Sequence, residues 1–126
     1  MPALEPIRGL RVVANAAALD AARWSGADVA VLRFAPDEAL ALGATGVDID
    51  GDADAIVVAE AGFSAGTVTL DVVLPHLEWS LPAERPALAQ GSIAGVPVKL
   101  WIPTDDGTGF LVVAAAYADE LLDRLR

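Results

Sequence analysis

From Val96 to Ile102 the chain alternates without a break. Val96, Val98, Leu100 and Ile102 fall on one side of an extended backbone, and Pro97, Lys99 and Trp101 on the other. Leu88 to Ile93 precedes this run across Ala94-Gly95, and a two-residue link of that kind predicts a β-hairpin. Because the side-chain period is two, a slip of one residue would turn the whole apolar set outward, so the register is tightly specified. Pro97 has no amide hydrogen to give to a ladder, which predicts that its strand lies at a sheet edge. Lys99 and Trp101 then share a face beside that edge. They are the candidate interaction residues; a cation–π contact between them and plain structural packing are the other readings of the pair, packing being the favoured one.

The remaining segments extend this pattern. Residues 1–9, with Pro2, Pro6 and Gly9, read as an extended arm. Leu10 to Ala14 is a strand, Asn15 offers a helix N-cap, and Ala16 to Trp24 reads as a helix stopped by Gly26. Val29 to Phe34 and Glu38 to Gly43 flank Pro36-Asp37 as a second hairpin. Ala55 to Ala59 is a further apolar strand, whereas Asp71 to Leu77 alternates helical signals with Pro75. Residues 80–87 hold Pro82 and Pro86 and read as an internal linker. After Asp105-Asp106-Gly107 the chain enters a strand, Phe110 to Ala114. It ends in a helix with Ala118, Leu121, Leu122 and Leu125 on one stripe and a Glu120–Arg124 pair on its wet side. The expected fold is one α+β domain over residues 1–126, mainly antiparallel sheets flanked by two or three helices. A Val-Val-Ala strand followed by an Ala-rich helix occurs in both Leu10–Trp24 and Leu111–Leu125, which suggests two related halves.

Charge narrows the partners. Eighteen acidic residues stand against eight basic ones, for a net charge of −10, and Lys99 is the only lysine. Such a surface repels phosphate backbones and anionic membranes, and no basic patch is interleaved with aromatics. No apolar run approaches a membrane span, and the first residues lack the basic and apolar regions of a secretory signal. A soluble cytoplasmic protein is the resulting expectation. The absence of cysteine removes disulfides, thiolate metal sites and thiol nucleophiles.

Three motifs invite chemistry and each has a plainer reading. Gly62-Phe63-Ser64-Ala65-Gly66 fits the nucleophile-elbow pattern, but Thr67-Val68-Thr69 is poor helix-starting material. The sole histidine, His76, is only twelve positions on, which leaves no room for the intervening acid, so the stretch reads as a small-residue strand or loop. Asp48, Asp50, Asp52 and Asp54 alternate around Gly51, yet neither calcium-loop register supplies the glycine and glutamate that such a loop needs. They read as a solvated tip whose like charges discourage edge pairing. A single histidine cannot build a zinc site. The sequence thus predicts no catalytic residues and no metal, and leaves any ligand-binding residues unknown, with Arg33 and Arg85 the arginines nearest a possible pocket.

Three further stretches carry a family resemblance. They are Leu32-Arg33-Phe34-Ala35-Pro36-Asp37-Glu38-Ala39-Leu40, Gln90-Gly91-Ser92-Ile93-Ala94-Gly95-Val96-Pro97-Val98, and Gly109-Phe110-Leu111-Val112-Val113 through Tyr117-Ala118-Asp119-Glu120-Leu121-Leu122. Their order resembles the gamma subunit of heterotetrameric sarcosine oxidase, itself similar to the folate-binding domain of the glycine-cleavage aminomethyltransferase. The resemblance implies a non-catalytic accessory subunit whose partner is a flavoprotein oxidase or an aminomethyltransferase-like chain. It also implies, as an alternative, a protein that binds a reduced folate or pterin such as tetrahydrofolate. Catalytic relatives place an acid at a Tyr-Thr-Gly-Glu turn. The corresponding stretch here is Thr104-Asp105-Asp106-Gly107-Thr108-Gly109-Phe110, where Asp106 is only an approximate counterpart.

Overall fold

The computed structural model describes residues 3–126; Met1 and Pro2, the start of the expected arm, lie outside the described residues. Strands make up more than half of the described residues. This corrects the α+β expectation: the protein is mainly β. Its α-helices are short, because Ala-rich segments that look helical in isolation are drawn into strand ladders wherever a partner strand is available. The described residues form two compact units, 7–61, and 3–6 with 62–126.

In the Ile7–Ala61 unit the order is β2-β3-β1-β4, with β1 at Glu5–Val13, β2 at Arg23–Ala35, β3 at Glu38–Asp48 and β4 at Ile56–Thr69. The Pro36-Asp37 turn joins β2 to β3 as expected, while β3 also pairs antiparallel with β1 from Gly9↔Leu42 to Val13↔Glu38. Gly9 permits that approach, since a Cβ there would lie 2.2 Å from the Ala41 carbonyl oxygen. The first helix, α1, covers only Ala16–Asp20 and not the run to Trp24. Arg23 and Trp24 instead open β2 opposite Asp48 and Val47. Asn15 is the cap: its Oδ1 accepts from the Ala18 amide at 2.8 Å. Val12, Ala14, Ala18, Leu19 and Ala39 form the buried cluster beneath α1, with Trp24 and Val31 packed against it.

In the other unit β4 is followed in space by β7, β6 and β5. Here β5 is Ala87–Ile93, β6 is Val96–Ile102 and β7 is Thr108–Ala114. Between β4 and β5 lie a single helical turn, α2 (Leu70–Val73), and a short 3-10 turn, Leu74–His76. The chain ends in α3, Ala118–Arg124. The core face of this sheet is Ala89, Ile93, Val96, Val98, Leu100, Ile102, Leu111 and Val113, covered by Ala118, Leu121 and Leu125 of the C-terminal segment. Leu100, Leu111 and Leu121 are completely buried, and each such side chain contributes about 2 kcal/mol.

The predicted hairpin is present, but β6 is not an edge strand: it pairs with β5 along its length and with β7 from Val98 to Trp101. Proline is accommodated by register. Ile93↔Val96 flanks the two-residue turn and takes the paired hydrogen bonds, so Pro97, opposite Ser92, turns its nitrogen away from β5. On that side pairing with β7 begins only at Val98. The turn itself has positive φ at both Ala94 (51°) and Gly95 (81°), as a type I′ turn requires. Arg124 Nη1 donates to the Ala94 carbonyl at 2.6 Å and ties α3 to this turn.

Alanine pays for the left-handed conformation, which asparagine tolerates better. Ala94→Asn is therefore expected to stabilise the protein by about 0.5–1 kcal/mol, measured as a higher urea midpoint with an unchanged slope.

Candidate functional site

Cross-strand register determines what the outer face of the second unit displays. Core residues pair with core residues, so Lys99 stands between Gln90 and Val112, and Trp101 between Leu88 and Phe110. Lys99 and Trp101 thus share the outward face, each half-buried. The lysine ammonium lies 5.8 Å from the centroid of the Phe63 ring, which makes Phe63 on β4 an aromatic neighbour of Lys99. Beside it is a cavity of about 340 Å³ to which Phe63, Gln90, Ser92, Pro97, Lys99 and Tyr117 contribute. Gln90 and Ser92 offer hydrogen-bonding groups there, Lys99 the positive charge, and the exposed Tyr117 ring a rim. Phe63 and Tyr117 are not apparent in the sequence as site residues. Phe63 is hidden inside the elbow-like motif, and Tyr117 follows the strand it serves.

The elbow-like motif itself is extended. Gly62–Gly66 runs within β4, and Ser64 pairs with Val113, on the core side of the sheet at 4% exposure. His76 ends the 3-10 turn, where its carbonyl accepts the Ala94 amide at 2.9 Å. The aspartates of the 48–54 loop serve the local backbone. Asp48 and Asp50 pair with Arg23; Asp52 accepts from the Asn15 amide at 2.7 Å and the Asp54 amide at 2.9 Å. No grouping of three or more potential metal-ligating side chains occurs among the described residues. The two arginines considered for a pocket are likewise engaged: Arg33 with Asp20 and the Pro36 carbonyl, Arg85 with Asp105 and the Pro82 carbonyl. No helix among the described residues is long and apolar enough to cross a membrane.

No known protein family matches the chain by sequence, and no curated protein does so. A solved structure does match its fold. This is a chain of the heterotetrameric sarcosine oxidase from Corynebacterium sp. U-96, crystallised in complex with pyrrole 2-carboxylate. The TM-score is 0.68 at 18% identity, over 98% of this chain and 79% of that one. At that identity the likeness shows a shared, sarcosine oxidase subunit-like fold.

Asp106, which the sequence resemblance sets near the acid of a Tyr-Thr-Gly-Glu turn, is exposed and bound to its own turn. Its Oδ1 accepts from Thr108 Oγ1 at 2.7 Å and from the Thr108 amide at 3.0 Å. These bonds, the hydroxyl's above all, hold the carboxyl below its ordinary value of 3.8. A carboxyl depressed in the folded state stabilises fully above its unfolded value, and that contribution is lost as pH falls through the lower, folded value. Asp106→Asn keeps an acceptor oxygen and removes the charge. The urea midpoints of the parent and this variant should differ by a constant amount from neutral pH downward, and the gap should close below pH 3.8.

Proposed function

We propose that this chain is a non-catalytic, partner-binding subunit related to the gamma subunit of heterotetrameric sarcosine oxidase. One observation carries the reading: almost the whole chain shares its fold with a chain of an enzyme that is a heterotetramer by name. The elbow-like serine lies extended on the core side of β4, and Asp106 is committed to a turn, which accords with a structural role. The partner is a larger oxidase or aminomethyltransferase-like chain that supplies the chemistry.

Tagged protein purified from its own host should bring down one stoichiometric partner of that kind. In the complex, the sole lysine, Lys99, should be shielded from amine acetylation relative to the free chain. A chain that elutes alone, at its own mass, rejects the subunit reading.

The cavity beside Lys99 favours a second reading, a site for a reduced folate or related carboxylate. Its one cation would meet the carboxylate, while Phe63 and Tyr117 contribute aromatic surface to the lining. Calorimetry with tetrahydrofolate should then give saturable heat that Lys99→Met weakens by about tenfold. Absence of heat at millimolar ligand would exclude this reading.

A further inference from the structure

A sheet edge exposes a row of unpaired amides and carbonyls, and proteins blunt such edges to prevent stray pairing. Two edges here are blunted. Along β2 the register with β3 shifts at Ser25/Gly26, Gly26/Ala30 and Arg33/Ala35, and positive φ at Gly26 and Asp28 bends the strand. Along β5 the segment after the 3-10 turn covers the edge: Leu77 bridges Ile93, and the Glu78 amide donates to the Ser92 carbonyl at 3.2 Å.

The first half of β4 has neither protection. In its unit it is the terminal strand, beyond β1, and β7 pairs with β4 only from Phe63 onward. Among the described residues no strand lies on its other side. It carries no proline or glycine from Ile56 to Ala61 and no break in extension. Three consecutive large apolar side chains stand open, Ile56 at 58%, Val57 at 47% and Val58 at 51% exposure. Successive residues point to opposite faces, so the strand is apolar and uncovered on both faces at once. Folding does not require that, and an unprotected apolar edge is the receptor geometry for an added strand.

Charge selects the occupant. The strand leaves a loop bearing Asp50, Asp52 and Asp54, and Glu60 lies near its far end, already joined to Arg11 at 3.5 Å. A second copy of this chain would bring another net charge of −10 to the same edge. We propose that the Ile56–Ala61 edge of β4 receives an extended segment of a partner protein, apolar at alternate positions and basic between them, as an added β-strand.

The proposal rests on the subunit reading but fails separately from it. The probe is a fluorescein-labelled octapeptide alternating valine and lysine, with an alternating valine–glutamate octapeptide as control, followed by anisotropy and by amide exchange. The lysine peptide should bind saturably and slow exchange at residues 56–61. The neutral double variant Ile56→Thr/Val58→Thr keeps a β-branched strand and should weaken binding about tenfold, as should the glutamate control. Equal binding to the variant, or protection elsewhere in the chain, would overturn the edge assignment. So would a concentration-dependent dimer that protects residues 56–61 without peptide, which would assign the edge to self-association. A stoichiometric host partner that leaves these amides exchanging as in the free chain removes the edge and keeps the subunit. A chain that elutes alone yet binds the peptide keeps the edge and removes the subunit.

Discussion

Everything displayed by the second unit depends on the register of β6 between β5 and β7. With Leu100 held between Ala89 and Leu111, the same ladder must hold Lys99 between Gln90 and Val112. The interior and the outward face are two readings of one alignment. A slip of one residue would bury the ammonium and expose Leu100 and Ile102, exchanging several buried apolar side chains for an unpaired charge. The Ala94-Gly95 turn sets that register, and Arg124 and His76 fasten the turn from two sides. The outward face is therefore as rigidly placed as the core, which is what a recognition surface needs.

The elements legible in the sequence are those in which local pattern and tertiary environment agree. The β5–β6 hairpin combines uninterrupted alternation with a two-residue turn. Asn15 caps a helix because its side chain reaches the Ala18 amide within the first turn. The last helix follows its apolar stripe, and its Glu120–Arg124 pair forms as spacing dictates. Long-range competition decides the rest. Ala16 to Trp24 has helical propensity throughout, but Asp48 and Val47 offer Arg23 and Trp24 a ladder, and the helix ends at Asp20. A propensity difference of a few tenths of a kcal/mol per residue cannot outweigh that. Pro97 misleads for a related reason: its missing donor excludes pairing on one side at one residue, not along a whole strand.

In β4 the local sequence pattern says least about the surroundings of the strand. Its Gly62–Gly66 stretch resembles a catalytic motif because small residues serve both sharp turns and close strand approach. Gly66 serves the latter, since a Cβ there would fall 1.9 Å from the Ala3 carbonyl oxygen. Its Ile56-Val57-Val58 run reads simply as apolar strand, and apolarity in sequence ordinarily means burial. Exposure can be known only when the neighbouring strands are counted, and on one side of this run the count is zero among the described residues. The Lys99 neighbour Phe63 was obscured in the same way, being separated from Lys99 by thirty-six positions in sequence and 5.8 Å in space.

The distribution of charge follows the same logic. The aspartates of the 48–54 loop look like a metal site or a repulsive tip when read as a list. In the structure Asp52 holds the entry to α1 through Asn15, and Asp48 and Asp50 hold the start of β2 through Arg23. Arg11 is shared between Glu38 and Glu60 and lies 5.5 Å from the centroid of the Phe34 ring. Arg11, Arg23, Arg33, Arg85, Arg124 and Arg126 are each paired with a nearby carboxylate, and the excess negative charge remains over the surface. Exposed ion pairs of this kind add little stability each. Their collective consequence is electrostatic: like copies are kept apart while a basic segment is drawn toward the chain. An acidic surface that discourages self-pairing makes an open apolar edge tolerable, and the same charge favours a partner of opposite sign.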